Sequence, residues 1–203
     1  MLEIHNFEGK TKEEVLEKAL SKLNVDETEI LANYNEIEGR LFKGRKCELA
    51  VLKNIDLISF IKDHFSRLSE LMNVDIKCEI KIREELLNVN LITSNNSIII
   101  GKDGKTLAAI QSLLKQILNN KTPFNIKLNV DVSDYKSKKR KYLEYEVKKI
   151  CKEVLKTKVD VQLDPMNSYE RRIVHTVIST FHELESESSG SEPNRYIMIK
   201  YKG

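Results

Sequence analysis

The chain of 203 residues contains no tryptophan, and aromatic residues of all kinds make up only 6%. Its three cysteines, Cys47, Cys78 and Cys151, are odd in number, far apart and without Cys-x-x-Cys spacing. That pattern excludes a disulfide framework and a thiolate zinc site, and leaves buried thiols. No apolar run approaches the ~18 residues that span a bilayer. The opening Met1-Leu2-Glu3-Ile4-His5-Asn6-Phe7-Glu8 has neither the basic start nor the apolar stretch of an export signal. A cytoplasmic protein without membrane insertion is the expectation. Also missing are a nucleophile elbow, a Walker-spaced Gly-Lys-Ser/Thr and acidic metal ligands, so no catalytic residue, no metal site and no cofactor is expected. No internal repeat is evident.

What remains is a globular composition, 40% hydrophobic and 32% charged, with room for one to three small modules. The net charge of +3 conceals an asymmetry. Residues 101–158 hold 15 Lys and Arg against 6 Asp and Glu, a surplus of +9, while residues 1–50, 51–100 and 159–203 carry −3, −1 and −2. A local field of that sign attracts polyanions although the whole chain is nearly neutral.

The basic segment opens on Ile98-Ile99-Ile100-Gly101-Lys102-Asp103-Gly104-Lys105-Thr106-Leu107. Leu107, Ile110, Leu113, Leu114 and Ile117 then recur at the spacing of one helical face. A tight glycine turn therefore delivers a helix N-terminus, presenting unpaired N–H groups and the positive end of the helix dipole beside Lys102 and Lys105. This suits a phosphate backbone. Ile100 and Ile110 are the candidates for lining a groove beside the loop.

Upstream, a strand near residues 2–7 leads through Gly9 to a helix with Thr11-x-x-Glu14 as its capping box and Val15, Leu16, Ala19, Leu20 and Leu23 on one face. Strands at 30–37 and 47–52 flank the basic run Gly39 to Lys46, which reads as an exposed loop tipped by Phe42 or with Phe42 folded back on the sheet. A helix over 55–72, strands at 74–82 and 86–92, helices on both sides of the glycine loop and a strand through Ile126, Leu128, Val130 and Val132 follow. From 134 to 155 a helix begins with Lys136-Ser137-Lys138-Lys139-Arg140-Lys141 and carries Leu143, Val147, Ile150, Cys151 and Val154 on one face. The opposite face shows Lys141, Tyr145, Lys148, Lys149, Lys152 and Lys156. After a strand at 159–163 comes Met166-Asn167-Ser168-Tyr169-Glu170-Arg171-Arg172-Ile173-Val174-His175, in which Arg171 and His175 share a helix face and offer a forked cation and a hydrogen-bonding ring to a phosphate. Residues 186–192, serine-rich and acidic, read as a flexible hairpin loop, and Arg195 enters a last strand at 196–201.

The glycine loop and its flanks resemble the KH-domain signature, whose loop clamps about four nucleotides. Helix, strand, strand, helix, Gly-x-x-Gly, helix, strand is the order of the type II KH domain. The Met-Asn-x-Tyr-Glu-Arg-Arg-Ile-Val-His run resembles the R-three-H domain. A small N-terminal domain, a type II KH domain and an R-three-H domain in that order are similar, over essentially all 203 residues, to the Jag family, also called SpoIIIJ-associated proteins. The resemblance implies an α+β fold in three modules, residues 1–53, 54–133 and 134–203. It also implies a bacterial, cytoplasmic RNA-binding regulator of cell elongation and envelope growth that partners a small KH-only protein. Gly101, Lys102, Asp103 and Gly104 would form the clamp, Arg171 and His175 the second site, and Arg195 follows the family's Pro-x-Arg pattern. Lys105, Lys138, Lys139, Arg140 and Lys141 would add charge. Single-stranded RNA is the expected ligand, with DNA open because a KH groove accepts either. The alternative is a protein-interaction scaffold docking through its N-terminal domain on a membrane-associated envelope partner.

Overall fold

A computed structural model describes residues 2–37, 46–83 and 86–203. Of the basic run expected as a loop, residues 39–45 lie outside the described residues, and with them both placements of Phe42, while Lys46 opens a strand. The fold is α+β, and the chain divides into two compact units, residues 1–133 and 134–203.

The first unit begins with strand β1 (Ile4–Gly9), helix α1 (Lys12–Leu23), strand β2 (Ile30–Ile37) and strand β3 (Lys46–Lys53). The sheet order is β1-β3-β2, antiparallel throughout. Alternation places Cys47, Leu49 and Val51 inward, where they pack with Phe7, Val15, Ala19 and Ile30. At the start of α1, Thr11 accepts from the Glu14 backbone N–H at 3.2 Å. The reciprocal bond of the expected capping box falls one residue earlier, because the Glu14 carboxylate accepts from the N–H of Lys10 at 3.1 Å.

The same unit continues with helix α2 (Asn54–Met72), strands β4 (Ile76–Arg83) and β5 (Leu86–Thr93), helix α3 (Asn96–Ile100), a 3-10 turn over Lys102–Gly104, helix α4 (Lys105–Lys121) and strand β6 (Lys127–Val132). In this second sheet β5 is central, antiparallel to β4 and parallel to β6. Two strands that run the same way need a long crossover, and here the crossover is α3, the glycine turn and α4. Leu57, Ile61 and Phe65 of α2 and Leu107, Leu114 and Leu118 of α4 are buried together with Leu87, Val89 and Leu91 of the central strand. Each such side chain contributes about 1.5–3 kcal/mol by leaving water.

The second unit comprises helix α5 (Tyr135–Thr157), strand β7 (Val161–Gln162), helix α6 (Ser168–Ile178) and strands β8 (Leu184–Ser189) and β9 (Tyr196–Tyr201), in the antiparallel order β7-β9-β8. Val147, Cys151 and Val154 of α5 meet Val174, Val177 and Ile178 of α6 and Leu184, Ile197 and Ile199 of the sheet. Two expectations change here. The strand near 159–163 is only two residues long, and much of the segment expected as a flexible loop is strand β8. Of the cysteines, Cys47 and Cys151 are buried and Cys78 is half-buried, and all three are free.

Candidate nucleic-acid interface

The crossover turn is shaped by its glycines. Gly101 ends α3 by donating its N–H to the Ser97 carbonyl at 2.8 Å, then takes φ +69 and ψ −178, a backbone that side-chain-bearing residues rarely adopt. Space is as restrictive as angle there. A Cβ on Gly101 would lie 2.1 Å from Thr106 Oγ1 and 2.7 Å from its Cβ. Gly104 (φ 82) and Asp103 (φ 55) are also left-handed. Aspartate is among the few residues that accept this conformation, which accounts for a carboxylate inside a loop otherwise suited to anions. Lys102, Asp103 and Lys105 are exposed around the first turn of α4, where the Gly104 N–H donates to the Gly101 carbonyl at 3.3 Å and the Lys105 N–H to the Lys102 carbonyl.

Beside the loop, the expected groove lining is revised. Ile110 is 7% exposed, on the inner face of α4, and belongs to the core, while Ile100 is half-buried. The apolar groups that do reach the surface are Ile98 on α3 and Leu113 on α4. Leu113 stands one turn beyond exposed Ala109, a position the helical periodicity alone assigned to the core stripe.

In the second unit, Asn167 caps α6: its side chain accepts from the Glu170 N–H at 3.0 Å, and Glu170 Oε2 accepts from the Asn167 N–H at 3.1 Å. Arg171 follows inside the first turn and is not the exposed cation expected. Its side chain is 9% exposed, with Nη1 donating to the Met166 carbonyl at 2.6 Å and Nη2 to Glu192 Oε1 at 2.7 Å. The guanidinium thereby ties the segments before α6 and before β9 together. His175, one turn on, is half-buried with Nδ1 2.7 Å from Ser186 Oγ. Burial, and then the nearby Arg171 charge, hold its pKa below the ordinary imidazole value, so the ring is neutral at pH 7. Arg195 Nε donates to Ser188 Oγ at 3.0 Å. Ser186 and Ser188, two residues apart on β8, thus bring His175 and Arg195 to one strand face. Neither serine was singled out in the sequence, although their period-two spacing after Leu184 was the available signal.

The basic run at the start of α5 is partly neutralised by its surroundings. Lys139 Nζ lies 2.6 Å from Glu170 Oε1, which brings the run to the N-terminus of α6. Arg140 pairs with Glu144 one turn along its own helix at 2.9 Å. Lys138 and Lys141 are exposed. The loop residues 101–105 belong to the first unit, and Lys138 to Lys141, Arg171, His175 and Arg195 to the second. Among the described residues no group of His, Cys, Asp or Glu is placed to hold a metal ion, and no helix is long and apolar enough to cross a membrane.

A mixed sheet crossed by a helix, glycine turn and helix, followed by a capped helix packed on a small antiparallel sheet, defines a protein of paired KH and R-three-H type. The KhpA/KhpB KH-domain family matches residues 58–132 and the R-three-H domain matches residues 141–201. Both are binding modules, and the chain is not an enzyme. The RNA-binding protein KhpB of Clostridium symbiosum is 32% identical over 201 residues, covering 96% of this chain and 90% of that protein. That of Bacillus subtilis is 26% identical over 200 residues, covering 96% of each. A Streptococcus pneumoniae protein of the same name is 30% identical over 128 residues, 63% of this chain and 39% of its own longer length. The chain belongs to the KhpB family, which is the Jag family that its sequence resembles.

Proposed function

We propose that this protein binds single-stranded RNA, with Gly101, Lys102, Asp103, Gly104 and Lys105 holding the sugar-phosphate backbone and the second unit supplying further contacts. The observation that carries the reading is the glycine turn at the head of α4, fixed in shape by two left-handed glycines and by the packing of Thr106 on Gly101. A frame of that kind keeps its shape as a phosphate approaches, and the positive end of the α4 dipole and the charges of Lys102 and Lys105 stand at its rim. The relatives named RNA-binding protein KhpB support the same ligand. Three modules, residues 1–53, 54–133 and 134–203, carry out the work in this reading. His175 and Arg195 form the polar face of the third, and Arg171 braces it. Lys138 and Lys141 contribute charge, and Lys139 and Arg140 do so in exchange with Glu170 and Glu144.

The family further suggests a cytoplasmic regulator of cell elongation and envelope growth, acting with a small KH-only protein and, through its N-terminal module, with a membrane-associated envelope partner. The decisive experiment is fluorescence anisotropy of a labelled single-stranded RNA with the full chain and its Lys102→Asp variant. The variant places a second carboxylate in the loop without touching the core, and binding is expected to be largely lost at unchanged melting temperature. Equal affinity of the two proteins refutes the clamp. The same titration with DNA of matching sequence reads whether 2′-hydroxyl groups contribute.

A further inference from the structure

Helix α5 buries one face against its unit through Val147, Cys151 and Val154 and turns another to solvent. At 100° per residue, Lys141, Tyr142, Tyr145, Lys148, Lys149 and Lys152 fall within about 120° of the helix circumference, along roughly 16 Å of its axis. All six are exposed, the two tyrosines at 67% and 65%. The four lysines make no ion pair among the described residues, in contrast to Lys139 and Arg140. On the same wheel Glu144, which pairs with Arg140, and Glu146 lie about 40° beyond the two edges of the stripe, and Glu153 about 20° beyond one of them. Two large aromatic side chains left in water on the outer face of a helix add nothing to its packing. Between regularly spaced lysines they form a stacking platform within a positive track.

We infer that this face of α5 is a second nucleic-acid contact, on which successive bases of a single strand stack against Tyr142 and Tyr145 while Lys141, Lys148, Lys149 and Lys152 follow its phosphates. It rests on the proposed RNA-binding reading and extends it to residues of α5 other than those of the glycine loop and of the Arg171 and His175 cluster. Stacking requires bases already unstacked, so the track selects single strands over duplexes and is tolerant of sequence. Adsorption to a lipid surface fits less well, because the apolar face an interfacial helix would insert is already buried in the unit's core.

The test uses the full chain, a Tyr142→Ala/Tyr145→Ala variant, a Lys148→Gln/Lys149→Gln/Lys152→Gln variant and Lys102→Asp, each checked for an unchanged melting temperature. The probes are a single-stranded 20-mer of uridine, an RNA duplex of the same length, and vesicles of phosphatidylcholine and phosphatidylserine. The tyrosine pair is expected to weaken single-strand binding on the order of tenfold or more. It should also abolish most of the tyrosine fluorescence quenching, a signal no tryptophan masks. The lysine variant should flatten the slope of log K against log salt by about 2, near 0.7 for each phosphate no longer neutralised. Full binding by both variants, with Lys102→Asp impaired, overturns the stripe and leaves the loop reading standing. Loss in the stripe variants with Lys102→Asp unimpaired does the reverse. A wild-type chain that ignores single-stranded RNA overturns both, and stripe variants that lose only vesicle binding reassign the surface to lipid.

Discussion

Arg171 is where the structure departs furthest from the expectation of an exposed phosphate ligand, and replacing it by alanine separates the two roles. The variant loses two charge-assisted hydrogen bonds, to the Met166 carbonyl and to Glu192, each worth about 1.5–3 kcal/mol. Glu192 is 59% exposed and returns to water on losing its partner, which places the net cost toward the lower end of the summed range, about 3–4 kcal/mol. A unit the size of residues 134–203 shifts its midpoint by about 4–8 °C per kcal/mol, so its transition should fall by roughly 12–30 °C. Arg171→Lys keeps the charge but cannot fork to two acceptors, and should recover only part of the loss. Differential scanning calorimetry of the full chain reads the effect, with RNA affinity measured well below the new midpoint. An Arg171→Ala chain that melts within about 3 °C of wild type yet binds RNA poorly refutes the bracing role and restores Arg171 to the ligand.

Gly101→Ala should destabilise the first unit by about 2 kcal/mol or more and impair RNA binding, since it imposes left-handed strain and a 2.1 Å approach to Thr106; denaturant unfolding and anisotropy report the two effects. His175 titrates below its unfolded value, so the unfolded chain binds the extra proton first. Its contribution to stability is intact above about pH 6.5 and is lost as pH falls through the depressed folded value; melting of wild type and His175→Gln between pH 7.5 and 5 should show a shallower acid loss in the variant. Burial pushes the Cys151 thiol up to about 11, so a thiol-specific reagent at pH 8 should label half-buried Cys78 first and leave Cys151 unmodified until denaturant is added; mass spectrometry of the labelled chain decides.

The elements legible in the sequence were those whose side chains advertise their surroundings. The alternating strand through Leu128, Val130 and Val132 and the helix carrying Val147, Cys151 and Val154 lie where their periodicities put them. Strand β8 was hidden because its inward positions after Leu184 are Ser186 and Ser188, polar groups that hydrogen-bond His175 and Arg195 instead of filling a core. A strand whose buried face is chosen for hydrogen bonding has no hydrophobic alternation to read. Arg171 was hidden for a related reason. Nothing local distinguishes a buried guanidinium from an exposed one, since its acceptor Glu192 lies 21 residues away. The Gly-x-x-Gly turn was legible because left-handed backbone selects residue types directly, while Leu113 was misplaced because helical spacing cannot say how far around the helix the core extends.

The glycine turn also sets what variation the loop can absorb. Position 101 is closed to every side chain by both angle and space, and 103 and 104 are restricted to the few residues that accept a left-handed backbone. Only Lys102 carries no such restriction among the four. The loop is therefore a fixed frame with one interchangeable letter, and a single codon can keep, abolish or invert the charge at that position while the outline it presents stays the same. Tuning of the clamp, by selection or by an engineer, has position 102 as its accessible dial, with exchange of Asp103 for Asn or Gly as the fine adjustment the backbone readily permits.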